Sequence, residues 1–230
     1  MSSGSGALAR EEAVPAAAGF VLAGGMSSRM GSDKALVPLA GRPLIQHAIE
    51  ILHGAGVSAS IAGAKSNLRA FAPVVEDKLP SSGPLSGVCS ALASTAARFA
   101  VILSVDAPLL PASLLAFLLH DGQITQAPVT LASINGFPQT FPAVLDRAAL
   151  PAIVAELEAG RTGCYAAFHA AAAQLGREVR VLPVELLAQS GHIADPRALP
   201  ICFWFLNVNT PAALARAEGF LTRANAAAIA

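Results

Sequence analysis

The sequence is poor in charged residues, which make up 13% of its 230 residues and leave a net charge of zero. A chain without an excess of Lys and Arg lacks the electrostatic footprint of a protein that binds nucleic acid or an acidic membrane surface. Neither partner is therefore expected. The low charge also leaves a rather apolar surface, which favours self-association as a homo-oligomer or contact with a partner protein.

Cysteine is scarce as well. The three cysteines, Cys89, Cys164 and Cys202, lie far apart and form no C-x-x-C pair. They are expected to be buried, reduced thiols of a cytoplasmic protein. Cys164 lies five residues before His169, but an isolated cysteine belongs to a core more often than it acts as a nucleophile.

Long apolar runs are also missing, although apolar residues make up 54% of the chain and can fill a sizeable core. Gly, Pro or a charged residue interrupts every apolar run before it reaches the length of a membrane span, so no membrane partner is expected. Residues 1–18, rich in Ser, Gly and Ala, lack the apolar stretch of a secretory signal. We expect a flexible tail over residues 1–18 and a single domain over residues 19–230.

Apolar runs alternate with helix-period segments along the first half of the chain. This alternation predicts βαβ units and hence an α/β fold, a mostly parallel sheet with helices on both faces. Ligands of such sheets bind outside the carboxyl ends of the strands. The predicted strands are 19–22, 57–62, 72–75, 99–105, 129–134 and 179–184, and the predicted helices are 43–53, 84–97 and 112–120.

The second half of the chain is less regular. A turn-rich connection at 135–138 separates apolar runs at 129–134 and 140–145, which indicates a β excursion. The pattern then predicts helices at 148–159, 164–175 and 211–223 and a last strand at 203–208. The segment 186–200, interrupted by Gly and Pro, fits no element.

The stretch around which the chain is organised follows the first predicted strand. Gly24 and Gly25 allow a sharp turn whose free N–H groups can cradle an anion. Arg29 and Lys34 follow closely and can neutralise phosphate oxygens, which is the chemistry of a triphosphate site. A Gly-rich turn with two solvated cations is the alternative. The glycine spacing fits neither a P-loop nor a dinucleotide fingerprint.

The order of residues 22–34, L-A-G-G-x-x-x-R-M-G-x-D-K, followed by G-R-P-L at 41–44, is longer and more specific. It resembles the signature of the nucleotidyltransferases related to molybdenum cofactor guanylyltransferase (MobA). The resemblance extends from about Val21 to Phe220 and is strongest in the first half. It implies a Rossmann-like, three-layer fold of the nucleotide-diphospho-sugar-transferase type. It also implies Mg²⁺ as cofactor, GTP as substrate, a molybdopterin-type acceptor and partner proteins of cofactor biosynthesis.

Asp106 is the candidate metal ligand. It follows the most apolar run of the chain and precedes Pro108, so its carboxylate lies at a strand end, where it suits Mg²⁺ shared with phosphate oxygens. A turn residue before proline is the alternative, but the resemblance implies the Mg²⁺ role. Lys34 is the best catalytic candidate because it can deliver a point charge to phosphates. Arg29, the third catalytic candidate, could bridge two phosphate oxygens.

The resemblance also implies a set of nucleotide-binding residues. Asp77 ends a predicted strand, and Gly83 belongs to a glycine-rich run at 82–87. A solvated strand end that caps the next helix is the alternative for Asp77. The implied set is Leu22, Ala23, Gly24, Gly25, Lys34, Asp77, Gly83 and Asp106. Gly63 stands where the family often carries an Asn that contacts nucleotide.

The run N-V-N-T-P at 207–211 resembles a family motif near the C-terminus. Asn207 and Asn209 could hold loops or contact a ligand, while Thr210 is expected to cap the last helix. Segments 139–142 and 158–161 lie where the family places its acceptor-binding half. Arg161 could meet an acceptor phosphate there, although a surface arginine is the commoner case.

Together these features predict a Mg²⁺-dependent guanylyltransferase that transfers GMP from GTP to a phosphate acceptor and releases pyrophosphate. Two alternatives remain open. One is the same chemistry with another nucleotide or acceptor, as in a cytidylyltransferase, whose loop commonly reads L-A-A-G. The other is a nucleotide-binding protein without turnover.

Overall fold

Seven strands form the central sheet of the computed structural model, which describes residues 15–23, 33–63, 66–77 and 83–229. Their order across the sheet is β5-β4-β1-β6-β8-β7-β9, and a separate two-stranded ladder pairs β2 with β3. The sheet strands are β1 (Ala17–Leu22), β4 (Ala59–Ala62), β5 (Val74–Val75), β6 (Phe99–Ser104), β7 (Val129–Ile134), β8 (Phe137–Asp146) and β9 (Arg180–Pro183). The ladder strands are β2 (Pro38–Leu39) and β3 (Arg42–Pro43).

Helices cover both faces of this sheet, as the alternating pattern predicted. Val21 and Leu103 point into one core, with helices α1, α3 and α7 against it. Phe20 and Ile102, one position along in each strand, point into the other core beneath α2, α4 and α5. The helices are α1 (Leu44–Gly54), α2 (Pro84–Ser94), α3 (Ala112–Thr125), α4 (Leu150–Glu158), α5 (Cys164–Gln174), α6 (Val184–Gln189) and α7 (Pro211–Ile229). The three-layer, mostly parallel fold is confirmed.

The β excursion predicted from residues 129–145 is a hairpin of β7 and β8. Strand β8 runs antiparallel to both β7 and β6, whereas β5, β4, β1 and β6 are parallel to one another. Its first residues therefore reach the edge of the sheet where the parallel strands end. This reversal brings the start of the hairpin next to the edge at which ligands of parallel sheets generally bind.

The predicted last strand at 203–208 is wrong. Residues 201–203 form a short 3-10 helix, and residues 204–209 cross the end of β6 without pairing in the sheet. Trp204 is buried and its Nε1 donates to the carbonyl of Leu199 at 2.9 Å. The segment is apolar because it packs on the core, and apolarity alone does not distinguish a packed loop from a strand.

Several boundaries also differ from prediction. Strand β1 begins at Ala17, so Ala17 and Ala18 belong to the sheet and not to the expected tail, whose first fourteen residues lie outside the described ranges. Helix α3 continues to Thr125, past Gly122, where a Cβ would lie 3.1 Å from Thr130 Oγ1. Gly122 therefore serves close packing of the helix on β7. Residues 186–189 of the unassigned segment 186–200 belong to α6, which begins at Val184, and Cys202 is exposed, not buried.

None of the helices that the structure describes has the length and apolarity needed to cross a bilayer.

Gly19 permits the tightest backbone approach in the centre of the sheet. A Cβ at this position would lie 2.6 Å from the backbone oxygen of Ser58 and 2.9 Å from Val57 Cγ2. The same Ser58 oxygen accepts the Gly19 amide hydrogen bond at 2.8 Å, so it has no freedom to withdraw. We expect Gly19→Ala to lower the free energy of unfolding by about 2 kcal/mol, as overpacked cores do, measured by urea denaturation.

Gly219 provides the matched control. It lies within α7, and a Cβ there would meet no atom within 4 Å. Gly219→Ala is therefore expected to raise the free energy of unfolding by about 0.5–1 kcal/mol through helix propensity. Equal effects of the two substitutions would contradict the close-approach explanation.

Candidate active site

Two neighbouring parallel strands, β1 and β6, end side by side. Leu22 is in register with Ser104, and the amide of Val105 donates to the carbonyl of Leu22 at 3.2 Å. Ala23 follows Leu22 at the end of β1, and its amide donates to the carbonyl of Ala62 at 3.1 Å. Asp106 follows Val105 just after the end of β6. The two stretches named by the sequence therefore meet at one edge of the sheet.

Lys34 joins this edge from a short 3-10 helix, Lys34–Leu36. Asp33 caps the helix by accepting the Ala35 amide at 3.2 Å, and its other oxygen accepts from Asn67 Nδ2 at 3.3 Å. This cap directs the lysine toward the end of β6, where its Nζ lies 3.0 Å from Asp106 Oδ2. The side chains of Lys34 and Asp106 are only 18% and 20% exposed. The two strongest candidates of the sequence analysis are thus partners in a partly buried ion pair.

The C-terminal N-V-N-T-P run completes the cluster. The amide of Val208 donates to the carbonyl of Asp106 at 2.8 Å, and the Asn209 side-chain oxygen accepts from Lys34 Nζ. Thr210 Oγ1 accepts the amide of Ala213 at 3.2 Å, which confirms the predicted helix cap. The run therefore both starts α7 and delivers an amide side chain to the lysine.

A cleft of about 340 Å³ opens beside this cluster, between the parallel half of the sheet and the β7–β8 hairpin. Asp106 forms part of one wall, and residues at the start of β8 form the other. Its lining is Leu22, Pro84, Ser104, Asp106, Ala107, Gln139, Thr140, Phe141 and Asn207. Segment 139–142, singled out for the acceptor, thus faces the same cavity as the candidate metal ligand through three of its residues.

The other predicted site residues differ in where they lie relative to the cleft. Gly24, Gly25 and Arg29 lie outside the described residues. Gly83 has a φ of +73° and immediately precedes Pro84, the first residue of α2 and part of the cleft wall. The glycine conformation is thus what turns the chain into the helix that borders the cleft.

Asp77 lies farther from the cluster. It follows β5, two strands from β1, a separation of roughly 10 Å at the usual strand spacing. It is half-buried, does not line the cleft, and its Oδ1 has no hydrogen-bond partner among the described residues. A buried carboxylate oxygen without a partner fits a polar ligand group better than a solvated strand end.

Two weaker candidates have other surroundings. Arg161 forms a two-pronged ion pair with Glu156, its side chain is 62% exposed, and it does not line the cleft. That hydrogen bond raises the pKa of Arg161 and lowers the pKa of Glu156. Burial raises the pKa of the Cys164 thiol to about 12, and His169 packs against Tyr165. A thiol that stays protonated is a poor nucleophile, so Cys164 is a core residue.

Comparison with known proteins agrees with this geometry. The profile described as MobA-like NTP transferase domain matches residues 19–181. A molybdenum cofactor guanylyltransferase from Vibrio atlanticus is 32% identical over 200 residues, covering 83% of this chain and 90% of that protein. The chain belongs to the MobA-like NTP transferase family. It is accordingly a nucleotidyltransferase.

Two further relatives support the placement of this MobA-like transferase. The enzyme of the same name from Xanthomonas euvesicatoria is 44% identical over 106 residues, which cover 46% of this chain but only about half (54%) of that protein. The solved structure of molybdopterin-guanine dinucleotide biosynthesis protein A from Archaeoglobus fulgidus superposes with a TM-score of 0.72 at 20% identity. That superposition covers 89% of this chain and 98% of the other, and it supports the fold.

The donor set of this MobA-like transferase fits a divalent cation of the Mg²⁺ type. Asp106 uses Oδ2 for Lys34, and its Oδ1 accepts no hydrogen bond from the described residues. Mg²⁺ takes oxygen ligands and commonly combines one or two carboxylates with substrate phosphates and water. No three His, Cys, Asp or Glu side chains of the described chain gather into a site of their own. Asp106 is therefore the residue that would hold the metal, beside the substrate phosphates.

Sequence reasoning passed over Ser104, which lines the cleft one position before Val105 and two before Asp106. A signal was present, because Ser104 is the only polar residue in the apolar run at 99–105. A polar side chain near the carboxyl end of a buried strand is placed to contact a ligand there. Asn67, which bonds to Asp33, carried no comparable signal because its partner is 34 residues away.

Proposed function

We propose that this nucleotidyltransferase is a Mg²⁺-dependent guanylyltransferase that transfers GMP from GTP to the phosphate of a molybdopterin-type acceptor. The observation that carries the proposal is the cluster of Lys34, Asp106 and Asn209, whose Asp106 lines the cleft. A cation, a carboxylate and a polar amide converge near the end of β1, where the predicted triphosphate loop begins. The names of the guanylyltransferase relatives supply the nucleotide and the acceptor.

The reaction joins the two substrates by one substitution at phosphorus. An oxygen of the acceptor phosphate attacks the α-phosphorus of GTP, the bond to the β-phosphate oxygen breaks, and pyrophosphate leaves with that electron pair. The acceptor phosphate is already ionised near neutral pH, so no side chain has to remove a proton. The chain's task is positioning and charge neutralisation.

Each part of the cleft has a place in this scheme. Lys34 would neutralise charge on the phosphates, and Asp106 would hold Mg²⁺, which supplies Lewis-acid stabilisation of the phosphate oxygens. The β1 end and α2 would border the nucleotide, with Asp77 toward its outer part. Gln139 and Thr140, on the hairpin wall, would face the acceptor.

GTP together with Mg²⁺ is expected to raise the melting temperature more than CTP, UTP or ATP does. A ligand present at one hundred times its dissociation constant stabilises by about 2.7 kcal/mol, which corresponds to roughly 5–10 °C for a domain of this size. Differential scanning fluorimetry with the four nucleotides measures the difference. Equal shifts would contradict the guanine preference while leaving a general triphosphate site.

A turnover assay tests the proposed reaction directly. Each of the four nucleotides is incubated with the protein, Mg²⁺ and molybdopterin, and pyrophosphate release is followed. We expect pyrophosphate release with GTP and not with the other three nucleotides. The release with GTP should require the acceptor. Release with CTP would identify a cytidylyltransferase instead, and no release with any nucleotide would leave a binding protein.

A further inference from the structure

Lys34 is held by two acceptors of different charge. Its Nζ lies 3.0 Å from the Asp106 carboxylate and also donates to the side-chain oxygen of Asn209. The carboxylate is part of the wall of the cleft and is the candidate metal ligand, whereas the amide is neutral. These two acceptors respond differently when a cation arrives.

A divalent cation held by Asp106 would compete with Lys34. Both would be positively charged and would draw on the same carboxylate, so their mutual repulsion would weaken the ion pair. A neutral amide oxygen has no such conflict, since Mg²⁺ on Asp106 does not remove its acceptor capacity. Asn209 can therefore keep Lys34 at the cleft when Asp106 no longer does.

Asn209 is fixed well enough to do this. The preceding residue, Val208, is fully buried, and its amide is bonded to the Asp106 carbonyl. The following residue, Thr210, caps α7. The backbone that carries the Asn209 side chain is thereby anchored on both sides, to the end of β6 and to a helix.

We propose that Asn209 is a positioning residue that retains Lys34 over the phosphates while Asp106 is engaged by the metal. This inference rests on the proposed function only for the identity of the substrate phosphates and the metal that enter the cleft. The sharing of Lys34 by Asp106 and Asn209 can be tested without any substrate.

The chain has only three lysines, Lys34, Lys65 and Lys78, so its ammonium groups can be observed individually by NMR after ¹⁵N-lysine labelling. An ammonium held by acceptors exchanges its protons slowly enough to be seen, and Lys34→Arg assigns the signal by its loss. Asp106→Ala imitates the loss of the carboxylate without needing metal. We expect the Lys34 signal to persist in Asp106→Ala and to vanish in Asp106→Ala/Asn209→Ala.

Thr222→Ala is the matched control, because it removes a side-chain hydrogen bond to the carbonyl of Glu218 within α7 and does not touch Asn209 or Lys34. It should leave the Lys34 signal as in the wild type. A signal that vanishes in Asp106→Ala although Asn209 is intact would overturn the inference. So would a signal that survives in the double variant.

Kinetics provide a second measurement should the Asp106 variants fail to fold. Asn209→Ala is expected to lower kcat about tenfold with KM for GTP within about twofold, and to have no further effect in a Lys34→Ala background. Thr222→Ala should leave kcat unchanged in both backgrounds. If Asn209→Ala lowered kcat by the same factor in the wild-type and Lys34→Ala backgrounds, Asn209 would have a merely structural role. An inactive wild type would refute the proposed function and leave the NMR result to decide this inference.

Discussion

Asp106→Ala is expected to reduce Mg²⁺-dependent nucleotidyl transfer by about a thousandfold or more. Metal-ion stabilisation of phosphate charge contributes several kcal/mol, and each 1.36 kcal/mol is tenfold in rate. The carboxylate is the described group at this strand end that can hold the metal, and Lys34 cannot replace it. Pyrophosphate release over a Mg²⁺ titration measures the loss.

The fold should survive this substitution. The Asp106 side chain is 20% exposed at the end of β6, outside the core, and Lys34 keeps Asn209 as an acceptor. We expect a change in unfolding free energy of about 1 kcal/mol or less. Glu50→Ala, which removes an exposed carboxylate paired with Arg42, is the control and should keep full activity. Near-wild-type turnover of Asp106→Ala would show that the metal assignment is wrong.

Lys34→Ala is expected to lower kcat by on the order of a hundredfold or more, as removal of one transition-state donor does. Negative charge moves onto the leaving pyrophosphate during transfer, so the loss should fall on kcat more than on KM for GTP. Lys34→Arg keeps the charge but its planar fork cannot reproduce one nitrogen shared between Asp106 and Asn209. It should retain only part of the activity.

Steady-state kinetics on both variants test this expectation, with Arg161→Ala as a control. Arg161 is paired with Glu156 on the surface, so its removal should leave kcat unchanged. An unchanged kcat with a raised KM in Lys34→Ala would make Lys34 a binding residue. Full activity of Lys34→Ala would show that Lys34 is a solvated cation without a role in turnover.

Sequence reasoning predicted the elements around Lys34 and Asp106 well because their signals are local. The strand that precedes the glycine loop, the apolar run that ends at Asp106, and the cap at Thr210 each occupy a few consecutive residues. Parallel strands end at the same edge, so the predicted strands that end at Leu22 and before Asp106 already indicate that the loop after Leu22 and the carboxylate meet at one edge. The structure adds the contact itself, at 3.0 Å.

The remainder depends on contacts between distant residues. Residues 203–208 match a strand in apolarity, yet they cross the end of β6 because Val208 bonds to Asp106, a partner 102 residues earlier, and because Trp204 packs into the core. The placement of Asn209 on Lys34 spans 175 residues. The predicted helix 112–120 stops short of the observed end at Thr125, and the packing of Gly122 on Thr130 of the next strand is not visible in the local pattern. No local pattern contains such information.

The reversed direction of β8 has a consequence for how this enzyme can change. The cleft takes one wall from the parallel strands and the other from the start of the hairpin, and the turn at Asn135 and Gly136 lies beyond that wall. Insertions in an exposed turn are tolerated because they disturb no buried ladder. With the hairpin wall assigned to the acceptor, as proposed above, substrate range can diverge by lengthening or reshaping one hairpin, while the residues of the opposite wall stay unaltered.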